Sequence, residues 1–146
     1  MAARAGFKVQ RRSALDIEQI DTPITADIVL GDSMGEMAMY YAASDMSYIG
    51  GSLIPLGGQN LIEACAVGTP VLMGLHTFNF AQATEDAIAA GACLRVANAD
   101  ELMAEAAGVL GDPARLAEMR ANALTFSGLH RGATARTLGA LAPVLR

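Results

Sequence analysis

The chain has no tryptophan, few aromatic residues (5%), only two cysteines, and sparse charge at 17%. Cys65 and Cys93 show neither C-x-x-C spacing nor a histidine at ligand spacing, so they read as small buried hydrophobes in a reducing cytoplasm. Basic residues number 10 against 15 acidic ones, for a net charge of −5. No positive field gathers a polyanion, and no nucleic-acid partner is expected. Neither the N-terminal "MAARAGFKVQRRS" nor any later window holds an apolar run long enough for a signal peptide or a membrane span. The chain itself is therefore expected to be soluble and cytoplasmic, and its abrupt, strand-like start would suit a piece of a longer protein.

What the chain does have is apolar content. Hydrophobic residues make up 53% of 146, and a chain of this size can bury roughly 70% of its unfolded surface. One domain over residues 1–146 is expected. Short apolar runs alternate with amphipathic stretches, the pattern of βαβ units and a parallel sheet. Strands are expected near 7–11, 26–30, 46–49, 70–73 and 92–96, with helices at 34–44, 60–67 and 80–90. Beyond these the pattern turns wholly helical, at 99–110, 113–127 and 131–142. Asp112 followed by Pro113 marks one helix start and Gly91 one helix end. His130, beside Arg131, reads as a solvated turn residue.

In an open parallel sheet, ligands bind where loops leave the carboxyl ends of strands. Three loops qualify: "GDSMGEM" (31–37), "GGSLIPLGGQN" (50–60) and "GLHTFNF" (74–80). Each leads into a helix whose first-turn amides lack intrahelical partners and can receive an anion. The plainer explanation is N-terminal capping, since Ser33 with Glu36, Asn60 with Glu63, and Asn98 with Glu101 all fit the capping-box spacing. Only the first two pairs sit among glycines, which open the backbone to close approach. A ligand role and a capping role both stay open for Asn60 and Glu63. The dinucleotide G-x-G-x-x-G fingerprint is absent from these loops. His76 follows a strand in a polar loop, where a site role and a structural one are both open.

"GDSMGEM", "GGSLIPLGGQNLIEACAVGTPVLMG" and "HTFNF", in this order and spacing, resemble the C-terminal half of the 3-deoxy-D-manno-octulosonic acid (Kdo) transferases of lipopolysaccharide synthesis. The resemblance runs from Arg11 to the terminal helices. It implies an α/β fold: a Rossmann-like parallel sheet flanked by helices, the C-terminal half of a GT-B glycosyltransferase, with extra helices at the end. It implies a substrate, CMP-Kdo, whose Kdo passes to a lipid A precursor at the cytoplasmic face of the inner membrane. By position, Gly57, Gly58 and Asn60 would lie by the donor phosphate and Glu63 would bond the ribose. Met34, Gly35 and Glu36 would line the nucleotide pocket and Ser52 would edge it, with His76, Asn79 and Phe80 facing the cleft. No cofactor or metal is implied.

The resemblance places the catalytic base, the acceptor surface and the membrane anchor in an N-terminal domain that this chain does not contain. No catalytic residue is therefore expected here, and the chain alone is expected to be inactive. Family members usually carry proline where this chain has Leu61 and Leu75, and threonine where it has Ser33. Two other readings compete: a GT-B domain using another nucleotide sugar, and a non-catalytic interaction module that pairs through its apolar face.

Overall fold

The computed structural model describes residues 1–15, 23–130 and 132–143. They form two compact units, Met1–Tyr40 and Tyr41–Arg146. The first holds a parallel strand pair, β1 (Val9–Arg11) and β2 (Ile28–Leu30), in register Val9↔Ile28, Gln10↔Val29 and Arg11↔Leu30. No described residue of this unit is fully buried. Its cohesion comes from strand pairing and from polar ties, among them the Lys8 amide donating to Asp27 Oδ2 at 2.8 Å. Helix α1 (Met37–Ala42) lies across the boundary between the units.

The larger unit carries β3 (Ser47–Tyr48), β4 (Val71–Met73) and β5 (Cys93–Arg95), all parallel, in the order β3-β4-β5. Central β4 is buried at every position, as a parallel strand covered on both faces must be. Helices α2 (Ile62–Ala66), α3 (Ala81–Ala89), α4 (Ala99–Leu110), α5 (Pro113–His130) and α6 (Ala133–Leu141) complete the order. Ile49, Leu61, Ala64, Cys65, Val71, Met73, Cys93 and Phe126 belong to one buried cluster. Each large apolar side chain removed from water there contributes about 1.5–3 kcal/mol.

Local chemistry sets the boundaries. Gly68, at φ +80°, ends α2: its amide donates to Cys65 O at 3.0 Å and the Thr69 amide to Ala64 O at 3.0 Å. Thr69 Oγ1 then donates to Tyr41 O at 2.6 Å, and Pro70 O accepts from the Ser47 amide at 2.9 Å. Gly-Thr-Pro thus turns the chain directly into β4. Asp112 Oδ1 accepts from the Ala114 and Arg115 amides, both at 3.1 Å, with Pro113 the first residue of α5. That helix runs through His130, which the sequence pattern had placed in a turn. Arg131 lies outside the described residues.

Candidate functional site

The loops leaving β3 and β4 are sewn together. Ser52, wholly buried, donates its hydroxyl to Ile49 O at 2.6 Å and accepts from the Gly74 amide at 2.8 Å. Its carbonyl accepts from the His76 amide at 2.9 Å. Further along, the Asn79 amide donates to Gly57 O at 3.2 Å and Asn79 Nδ2 to Leu56 O at 3.2 Å. Asn79 therefore lies against the glycine loop with its side chain exposed, and Phe78 lies beside it. A Cβ added at Gly57 would fall 2.6 Å from the Phe78 ring. His76 is half-buried, and Phe80 packs against the core cluster.

Gly57 and Gly58 both adopt left-handed backbone, φ +86° and +70°, and both are buried. Positive φ is readily adopted only by glycine, so these two residues set the turn into the 59–61 entrance. The expected capping box at Asn60 and Glu63 does not form. Asn60 Oδ1 instead accepts from the Ile62 amide at 3.0 Å, and Asn60 Nδ2 donates to Glu63 Oε1 at 2.8 Å. The short Asx turn delays the helix, so α2 has only five residues and a weak dipole. What the entrance offers instead is amides: those of Gln59, Asn60 and Leu61 make no hydrogen bond to another described residue. Leu61 is itself completely buried, and a buried N–H without a partner is rare in folded proteins.

Glu63 is exposed, with Oε1 held by Asn60. Its charge reaches Tyr41, whose phenol pKa is pushed above its ordinary value, first by burial and second by the Glu63 carboxylate. Of the three pairs at capping-box spacing, Asn98 and Glu101 alone cap their helix. There the Asn98 side chain accepts from the Glu101 amide at 2.9 Å, while Glu101 Oε2 reaches back to the Ala97 amide at 2.7 Å.

In the smaller unit, Met34 is almost fully exposed and Gly35, at φ +82°, has open space around it. Ser33 and Glu36 do not form a capping box either, because their side chains meet each other. Glu36 Oε2 accepts from the Ser33 hydroxyl and from Tyr40 OH at 3.1 Å, and Oε1 takes Arg12 Nη2 at 2.8 Å. The Ser33 hydrogen bond, with help from Tyr40 and Arg12, holds the Glu36 carboxyl below its ordinary value despite partial burial. Next to it, Asp32 accepts from the Ser13 amide at 2.9 Å and hydroxyl at 2.8 Å, which holds its carboxyl pKa below the ordinary value likewise. Both Glu36 oxygens thus have partners within this unit.

No family model matches the chain. It is 55% identical over 115 residues, 79% of its length, to a 3-deoxy-D-manno-octulosonic acid transferase of Bordetella pertussis. It is 34% identical over 141 residues, 95% of its length, to a transferase of the same name from Haemophilus influenzae. The chain is a Kdo-transferase homologue. The homologue spans 27% and 32% of those two relatives. It also superposes on the C-terminal CMP-Kdo binding domain of WaaA from Acinetobacter baumannii with TM-score 0.74 at 27% identity. That match covers 86% of this chain and 63% of that one. The parallel sheets flanked by helices that the resemblance implied are the fold of this Kdo-transferase homologue.

Three features of the homologue were not read from the sequence. The Ser52 clip needs the ends of β3 and β4 side by side, and Arg12 meets Glu36 across 24 residues of chain. Ser13 as the partner of Asp32 is equally non-local. The only signal in sequence was the presence of "RRS" and "GDS" at the carboxyl ends of two strands that turn out to be paired.

Proposed function

We propose that this chain is the donor-binding part of a glycosyltransferase that passes Kdo from CMP-Kdo to a lipid A precursor in lipopolysaccharide core biosynthesis. The observation that carries the proposal is the match to a solved CMP-Kdo binding domain over 86% of the chain. The site supports it locally. The left-handed Gly57–Gly58 step presents the amides of Gln59, Asn60 and Leu61 as a phosphate seat, and Glu63 stands beside them as an acceptor for a sugar hydroxyl.

Departure of CMP leaves negative charge on its phosphate as an oxocarbenium-like centre forms, and fixed donors aimed at that charge lower the barrier. A base must also take the acceptor hydroxyl proton, and we assign that base and the acceptor surface to a part of the enzyme outside this chain. The proposal places the complete enzyme at the cytoplasmic face of the inner membrane. Among the described residues no helix is long and apolar enough to cross a membrane, so any anchor is assigned outside them. No metal or cofactor enters the proposed chemistry.

Calorimetric titration with CMP, UMP and GMP tests this reading on the chain itself. CMP is expected to bind most tightly. Glu63→Ala is expected to weaken it about tenfold or more, the loss of one hydrogen bond to a charged group. Equal binding of the three nucleotides, or no effect at Glu63, would overturn the assignment.

A further inference from the structure

We propose that Ser52 is the positioning residue of the donor site, acting through the two loops it joins and never touching the ligand; this rests on the donor-site reading above. Ser52 is 0% exposed, so no nucleotide reaches its hydroxyl. That hydroxyl has one proton, donated to Ile49 O, and it accepts from the Gly74 amide. The residue's own carbonyl holds the His76 amide. One side chain and its peptide thus fasten the end of β3 to the start of the 74–80 loop.

The glycine loop depends on that fastening. Gly58, whose amide donates to Gly51 O at 3.2 Å, packs near Ser52 Cβ and His76 O, at 3.7 and 3.6 Å from where its own Cβ would stand. Farther out, Asn79 closes the same seam by its bonds to Leu56 O and Gly57 O. The two loops therefore behave as one body, clipped at its buried end by Ser52 and at its exposed end by Asn79. The amides of Gln59, Asn60 and Leu61 are preset for phosphate only while that body is closed, and presetting donors is what converts contacts into affinity.

The test uses the whole chain carrying Ser52→Ala, with two readouts. One is the CMP dissociation constant of the folded protein; the other is hydrogen exchange at the His76 and Asn79 amides without nucleotide. At least tenfold weaker CMP binding is expected, with faster exchange at those two amides and unchanged protection at Val71–Met73. A merely structural serine would lower overall stability and leave both readouts of the folded molecule alone, which would overturn the proposal while the donor-site reading stood. Failure of the unaltered chain to bind CMP would instead remove the donor-site reading, and this proposal with it. Should Ser52→Ala not fold, Asn79→Ala cuts the exposed end of the same seam. Faster exchange at the His76 amide with about threefold weaker CMP binding is expected from it, and unchanged exchange and affinity would refute the coupling.

Discussion

Gly74→Ala is a sharp perturbation of the seam between the β3 and β4 loops. An added Cβ would fall 2.5 Å from Leu53 N and closer still to the Ser52 carbonyl, both backbone atoms that cannot rotate aside. The end of β4 would have to part from residues 52–53, breaking the Gly74 amide bond to Ser52 Oγ (2.8 Å) and the His76 amide bond to Ser52 O (2.9 Å). Stranding a buried polar group costs about 1–3 kcal/mol, so two of them cost about 4 kcal/mol, a large share of the 5–15 kcal/mol typical of a whole domain. With a urea slope of about 2 kcal/mol/M the midpoint should fall by about 2 M. Gly50→Ala is the control, since no atom lies within 4 Å of its added Cβ; its shift should stay within about 0.5 kcal/mol. Equal midpoints for the two variants would refute the argument that this seam is closed by backbone.

Burial lifts the thiols of Cys65 and Cys93 to about 11 and about 12; neither should react with a disulfide reagent in the folded chain at neutral pH, whereas both should in denaturant. The depressed carboxyl pKa values of Glu36 and Asp32 stabilise the Met1–Tyr40 unit fully above the ordinary values of 4.5 and 3.8. That contribution should fade as pH drops through those values and vanish below the depressed ones. Because the Ser33 hydroxyl is the largest cause at Glu36, Ser33→Ala should remove more of the acid sensitivity than Arg12→Ala, read from resonances of that unit against pH. Glu63→Gln should move the Tyr41 phenol back down toward its ordinary value, followed by tyrosinate absorbance. No movement would detach Glu63 from Tyr41.

Much of the architecture was legible because it is local. Apolar runs placed each strand to within a few residues, as with 70–73 against the observed Val71–Met73, and the helix expected at 99–110 runs Ala99–Leu110. Boundaries slipped where side chains competed with helix geometry. The helix expected from 60 begins at Ile62 because Asn60 forms an Asx turn. The one expected from 34 begins at Met37, after the left-handed Gly35. At the site, the glycines and Glu63 were legible as an unusual loop. The use of Asn79 against Leu56, of Arg12 against Glu36, and of Ser52 against Gly74 was not. Those pairs are 23, 24 and 22 residues apart, and only the stacking of strands in register brings them together. Capping boxes illustrate the same limit: three pairs shared one spacing, and only Asn98 became a cap.

The central claim is that the amides of Gln59, Asn60 and Leu61 hold the phosphate of a cytidine nucleotide. The direct measurement is a CMP titration followed through those three backbone resonances. They should shift first and furthest, and saturate at the affinity that calorimetry gives. Shifts confined to other parts of the chain, with these three amides unmoved at saturating CMP, would contradict the account.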